Sequence, residues 1–345
     1  MSAVRSFGLV AAAAGAAALG ALLAAQAPPE TAYLIFVAAA GFAVGSLALL
    51  MIGYLMREEW VTPIRAEAEA AALTTPLLVA FALPPGASLG ALYPWADPQG
   101  GSGTIRDLYL SAEFFRLRGL FYLAVWTGLA LWLARARNLQ RASAIGLALL
   151  APTAIFAAND WVMFRDPQFW SGLFGFAFTL NELLAALAGA ILVSLLRPEH
   201  PSPTRMQSLE RALLTLALLA LWTWFAQFLI IWLGNLPAEA GWYLGRSSRE
   251  GFWLLFGVAL PALVASILIL IPPGFGRRTM IVGCALILSH HFAHLLWLAG
   301  SFAHGAAAAG EDWLFGAALA ALWAAWFTVA LRGRPTFASE AAGPA

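Results

Sequence analysis

Ten long stretches of the chain carry almost no charge, and each ends in a cluster of Arg, Pro or Gly: approximately 6–26, 31–56, 70–92, 114–134, 143–163, 170–196, 209–234, 250–271, 279–299 and 310–331. A bilayer core of about 30 Å takes roughly 20 apolar residues per helix, so the pattern predicts ten transmembrane helices. Within each run the apolar residues lie all round rather than alternating with polar ones, which excludes the dyad pattern of a membrane β-barrel. The expected fold is all-α, a single polytopic membrane domain over residues 1–345, built as two four-helix bundles plus two peripheral helices.

Composition agrees. Of 345 residues, 61% are hydrophobic and 11% charged, with a mean hydropathy of +0.79; a soluble domain carries about 25% charged residues. The nineteen basic residues, all of them Arg, oppose eighteen acidic ones, so no basic face exists to neutralise nucleic-acid phosphates. The single cysteine, Cys284, sits in an apolar run and excludes a disulfide framework or a cluster held by cysteines of this chain alone. With alternating connections, Arg5, Arg57, Arg65, Arg135, Arg137, Arg141, Arg197, Arg205, Arg211, Arg277, Arg278, Arg332 and Arg334 fall on the side of the termini. Arg106, Arg116, Arg118, Arg165, Arg246 and Arg249 fall on the other. The larger group marks the cytoplasmic face, so both termini are expected in the cytoplasm and the connections 93–113 and 235–249 outside. Ala25-Gln26-Ala27 resembles a signal-peptide cleavage sequence, but Pro28 directly follows, so the first helix is expected to be retained.

Ionisable groups inside membrane helices face the bundle interior, a partner or water, and each is a candidate for function. Asp160 stands near the outer end of the fifth run, where it either pairs with Arg165 or joins a proton route. Glu182, after Asn181, falls near the middle of the bilayer, protonated or paired with a neighbouring helix. The ninth run carries Ser289-His290-His291-Phe292-Ala293-His294; residues three and four apart share a helix face about 5–6 Å from each other. A bis-His haem needs a second intramembrane histidine on an opposing helix, whereas His200 and His304 fall in connections, and no carboxylate or cysteine accompanies these imidazoles at metal-ligand spacing. The cluster therefore serves hydrogen bonding, proton transfer or a quinone headgroup. Asp160, Glu182, His291 and His294 are the candidate proton relay, with Asn181, Gln227, Asn235 and His290 as supporting polar groups. Gly234-Asn235-Leu236-Pro237 is expected to stop the seventh helix.

Four segments resemble a known family. Phe115-Arg116-Leu117-Arg118-Gly119-Leu120-Phe121-Tyr122 looks like the start of its fourth helix. Asp160-Trp161-Val162-Met163 followed by Pro167-Gln168-Phe169-Trp170-Ser171-Gly172-Leu173-Phe174-Gly175 is similar to a second motif. Trp224-Phe225-Ala226-Gln227-Phe228-Leu229-Ile230-Ile231-Trp232-Leu233-Gly234-Asn235-Leu236-Pro237 with Glu239 is similar to the most specific one. The family is the ActF-type membrane subunit of bacterial alternative complex III, within the NrfD-like quinone-interacting superfamily. His291-Phe292-Ala293-His294-Leu295 resembles its ninth-helix motif, with His294 where the family has Asp, so a carboxylate step does not carry over to that position.

The resemblance, over roughly residues 30–300, implies a subunit of a quinol:cytochrome c (electron acceptor) oxidoreductase in the bacterial inner membrane, a scaffold with a proton half-channel and a quinone contact. It implies no redox cofactor bound by this chain alone. Haem and iron–sulfur centres would belong to partners: a multihaem cytochrome c subunit, an iron–sulfur/molybdopterin-like periplasmic subunit and a paralogous ten-helix quinol-binding subunit. Two other classes compete. A non-catalytic anchor would use the buried polar groups to lock helices, and a secondary transporter would place broken helices around a midplane site, as Pro152 and Pro261 inside helical runs allow.

Overall fold

The computed structural model describes residues 28–56, 59–96, 108–197, 203–272, 276–300 and 310–332. Among these, all regular structure is helical. The run 6–26, the Ala25-Gln26-Ala27 sequence, Arg106, His200 and His304 lie outside the described residues.

The helices are α1 (Pro29–Met56), α2 (Arg65–Ala72), α3 (Leu77–Ala87), α4 (Ala112–Leu133), α5 (Leu139–Trp161), α6 (Phe174–Leu196), α7 (Pro203–Gly234), α8 (Pro237–Gly245), α9 (Arg249–Leu270), α10 (Arg277–Ala299) and α11 (Gly310–Leu331). Seven of these, α1, α4, α5, α6, α7, α9 and α10, are long and apolar enough to cross a membrane, and an eighth span results if α2 and α3 count as one. The chain is a multi-pass membrane protein.

The third expected run, 70–92, departs from its sequence boundaries. Its span consists of Val61–Ala72 and Leu77–Ala87, bent by 46°. The Thr74 and Thr75 hydroxyls donate back to the carbonyls of Ala71 and Ala72, and Pro76 brings no N–H, so the helix is interrupted there. The first half escaped a search for apolarity because it holds Arg65, Glu67 and Glu69. Those charges are accommodated by pairing: Glu69 with Arg65 at 2.8 Å and the buried Glu67 with Arg197 at 2.7 Å.

Polar side chains mark several helix starts. The Ser111 hydroxyl accepts from the Phe114 amide, Asn138 from Arg141 and Ser248 from Gly251, each satisfying an orphan donor of a first turn. α7 ends as the sequence predicts: Asn235 follows with a left-handed φ of 47°, and Pro237 opens α8. Within α9, Trp253–Ala259 is π-helical, just before Pro261; a proline lacks the amide and crowds the preceding turn, which favours such a widening.

α1 is the central helix, contacting α2, α3, α5, α6, α10 and α11. Its contact with α6 is close because Gly41 and Gly45 stand one turn apart on the shared face. A Cβ on Gly45 would lie 2.6 Å from the backbone oxygen of Glu182. Small residues at this spacing let membrane helices approach where side chains would hold them apart. One body of buried apolar side chains gathers around α1, α3, α4 and α5, another around α6, α7, α9 and α10.

Candidate functional site

The predicted polar residues separate into two places. The first is the end of α5 and the segment that follows it, and it is a junction of charge pairs. Asp160 is 1% exposed and its two carboxylate oxygens take four donors. Arg118 Nε reaches Oδ2 at 2.9 Å and Nη2 reaches Oδ1 at 3.1 Å; Tyr109 and Tyr122 donate hydroxyls at 2.9 and 2.8 Å. The partner is thus Arg118, one helix away on α4, rather than the neighbouring Arg165. Arg165 instead pairs with Glu30 at 2.6 Å and donates to the carbonyls of Leu92 and Ala299. Arg246 pairs with Asp166 at 2.8 Å and donates to the carbonyls of Leu298 and Trp242. The Trp161 carbonyl accepts from both Tyr33 and Tyr93, at 3.0 and 2.9 Å.

Residues 160–166 therefore fasten the start of α1, the segment after α3, the start of α4, α8 and the end of α10 into one unit. Outside the spans, burial and Asp160 push the Tyr109 hydroxyl up to about 12, burial raises Tyr93 well above its ordinary value, and burial draws Arg246 down against the pull of Asp166. The tyrosines thus stay protonated donors at neutral pH. A carboxylate with four donors already engaged has no free lone-pair direction for a passing proton, so Asp160 acts here as a lock.

The second place lies between α6 and α10. Glu182 Oε2 stands 3.7 Å from His291 Nε2, just beyond hydrogen-bond length. Both Glu182 oxygens, both His291 nitrogens and His294 Nδ1 are buried without a hydrogen-bond partner among the described residues. His290 is fully engaged: Nδ1 lies 3.0 Å from the Ala259 carbonyl and Nε2 lies 3.0 Å from the Asn181 side-chain oxygen position. A backbone carbonyl only accepts, so Nδ1 carries the hydrogen. In a neutral ring Nε2 then accepts, which turns the Asn181 amide nitrogen towards it. Ala259 is the last residue of the π-helical stretch, so the widened turn in α9 supplies the group that fixes this tautomer.

The imidazoles meet as the helical spacing predicts. His290 and His294 stack with centroids 5.3 Å apart, and His294 stacks on Trp297 while Trp224 of α7 meets it edge-on at 4.6 Å. Phe42 of α1 caps His291 at 5.4 Å. The helix begins at Phe174 rather than at 170, which puts Glu182 eight residues inside it, about 12 Å along the axis. Room for its carboxyl comes from Gly41: a Cβ there would fall 1.7 Å from Glu182 Oε2. Glu182 also lines an apolar groove of about 260 Å³ between α1, α5 and α6.

Glu182, His291, His290, His294 and Asn181 thus come together. Gln227 is buried, accepts from Ser171 at 3.1 Å and leaves its amide nitrogen without a partner among the described residues. Asn235 caps the exposed end of α7, outside the cluster. Sequence reasoning missed Gly41 and Gly45, whose Gly-x-x-x-Gly spacing was there to be read, and Arg118, Tyr109 and Tyr122, whose relation to Asp160 has no local signal.

No protein-family model and no curated protein matches this chain.

Proposed function

We propose that the protein is a membrane subunit of a quinol-oxidising, electron-acceptor-reducing complex in a bacterial inner membrane, and that α6 and α10 form a proton half-channel in it. On this reading ten helices cross the bilayer. One four-helix bundle comprises α1, α2–α3, α4 and α5, the other α6, α7, α9 and α10, with α11 and the amino-terminal run peripheral and both termini cytoplasmic. Electron carriers reside on multihaem and iron–sulfur partners, and a paralogous subunit holds the principal quinol site.

The observation that carries the reading is the pair Glu182 and His291, whose polar atoms have no hydrogen-bond partner among the described residues across a 3.7 Å gap in the membrane interior. Buried polar groups normally find partners, and one that has none is held at a cost that function explains better than stability does. A gap of this size closes by a small side-chain movement or through one water, and carboxyl and imidazole then exchange a proton. His294, where the resembled family has Asp, extends the route by one turn. Asn181 and the Ala259 carbonyl hold His290 in one tautomer, and the His290 ring, stacked on His294, positions that imidazole. The apolar groove beside Glu182 supports a quinone contact in this chain as well.

Replacing Glu182 by Gln or His291 by Phe in the assembled complex is expected to lower quinol oxidation, or the protons moved per electron, by tenfold or more, while the complex still purifies intact. Full turnover and full coupling in both variants would overturn the relay. A second reading, a purely structural anchor, is favoured by the saturated Asp160 junction, which holds helices together and offers nothing to a proton. On that reading the same substitutions reduce yield of the complex and leave the activity of each assembled copy unchanged.

A further inference from the structure

A second groove, of about 360 Å³, opens between α1, α3 and α4, at the end of the molecule where the Asp160 junction lies. Leu83 and Leu120 on its rim are exposed, at 37% and 59%, so the groove opens sideways into the hydrocarbon. Phe36 and Leu123 form its deeper wall and Trp161 its floor.

Besides the Tyr33 and Tyr93 hydroxyls, both already donating to the Trp161 carbonyl, two polar groups interrupt this apolar lining. Arg116 sits at the rim, five residues into α4, where its Nε donates to the Gly86 carbonyl at 3.2 Å. Arg118, Arg165 and Arg246 at the same end are all neutralised by carboxylates, but Arg116 has none among the described residues. Its remaining guanidinium hydrogens are free for an anion. The second group is the Trp161 indole N–H, which has no acceptor among the described residues. Gly119 leaves the space before it open: a Cβ there would stand 3.8 Å from the Trp161 Nε1 atom. Gly119 is one turn deeper along α4 than Arg116, about 4.5 Å towards the membrane centre.

We infer that this groove is a binding site for one glycerophospholipid, its phosphate on Arg116, an ester carbonyl on the Trp161 indole and one acyl chain along Phe36 and Leu123. The vertical order of the two donors matches the lipid. The headgroup and ester region occupies several ångströms on each side of the hydrocarbon core, and α4, with 22 residues, is about as long as that core is thick, so its first turns lie at this boundary. A guanidinium binds phosphate oxygens through paired hydrogens, and tryptophan favours the same depth because its N–H meets the ester region while its ring stays in hydrocarbon. The placement does not depend on the proton-relay reading, since neither Glu182 nor the histidines line the groove.

Native mass spectrometry of the detergent-purified full chain tests it with three probes: dioleoylphosphatidylglycerol, dioleoylglycerol and glycerol phosphate. The phospholipid should be retained one per chain, dioleoylglycerol about tenfold less, and glycerol phosphate not at all. Arg116→Gln should lower phospholipid retention about tenfold and leave dioleoylglycerol unchanged. Trp161→Phe should lower both about threefold, since both carry the ester carbonyl. Gly119→Leu should abolish both by filling the groove, and if it fails to fold, Leu83→Trp fills the same space from the lipid-facing wall. Equal phospholipid retention in the wild type and Arg116→Gln would overturn the inference. So would retention unaffected by a folded groove-filling variant, or competition by glycerol phosphate as effective as that by the phospholipid.

Discussion

Asp160 and Glu182 are both buried carboxyls on membrane helices, and their neighbours decide what each can do. Every oxygen lone pair of Asp160 that points into the protein meets a donor, two of them from one guanidinium. Removing the charge from such a pair strands its partner, which typically costs about 3–5 kcal/mol. Asp160→Asn is therefore expected to destabilise the protein by about that amount, seen as a lower midpoint in denaturant or thermal unfolding in detergent. Pairing it with Arg118→Met should recover part of the loss, because the stranded guanidinium is then gone. If Asp160→Asn unfolds at the wild-type midpoint, the junction contributes no stability. Glu182 is the reverse case, with both oxygens unpartnered among the described residues, so Glu182→Gln should leave the unfolding midpoint within about 1 kcal/mol of the wild type, the ordinary range for a substitution that breaks no pairing. The sequence made both residues conspicuous as charges in apolar runs. It could not distinguish them, because the groups that saturate Asp160 lie 38 to 51 residues away along the chain, beyond the reach of any spacing rule.

At the scale of the helix, the contact of α1 with α6 is set by two glycines with different neighbours. A methyl group at Gly41 would run into the Glu182 carboxyl group, whereas one at Gly45 would run into the Glu182 backbone oxygen. Gly41→Ala and Gly45→Ala are each expected to cost about 1–3 kcal/mol through overpacking, but only the first is relieved from the other side. In a double-mutant cycle, Gly41→Ala combined with Glu182→Ala should be less destabilising than the sum of the two, by about 1 kcal/mol or more. The cycle of Gly45→Ala with Glu182→Ala should be additive, since truncating the side chain leaves the backbone oxygen in place. Additivity in both cycles would mean that the helices separate to admit the methyl groups. Most of the helix positions were legible from apolar run length alone, since lipid leaves a spanning chain few alternatives to a helix. One exception was Val61–Ala72, whose Arg65, Glu67 and Glu69 imitate a connection and become tolerable only once Arg197 stands opposite Glu67. The π-helical turn in α9 was foreshadowed by Pro261, although its consequence, a carbonyl presented to His290, appears only when α9 and α10 are side by side.

For the whole molecule, the alternation of helices places Arg118, Arg165 and Arg246 together at one end, drawn in by Glu30, Asp160 and Asp166. The arginines at the opposite end, among them Arg135, Arg137 and Arg141, remain largely exposed. Orientation in a membrane follows the count of arginines in short connections, to which carboxylates contribute little, so the two-to-one excess of arginines at that opposite end sets the bias. The proposed topology therefore makes a definite prediction. Cys284 is buried and unpaired, so the native chain should be silent towards a membrane-impermeant maleimide and serves as its own background. Ser247→Cys, exposed between α8 and α9, should label in intact spheroplasts. Arg137→Cys, exposed between α4 and α5, should label after the membrane is permeabilised and not before. The opposite pattern would reverse the orientation while preserving the fold. Labelling of both positions from the same side would break the alternation of spans itself, and with it the assignment of residues 160–166 and the end of α10 to a common face.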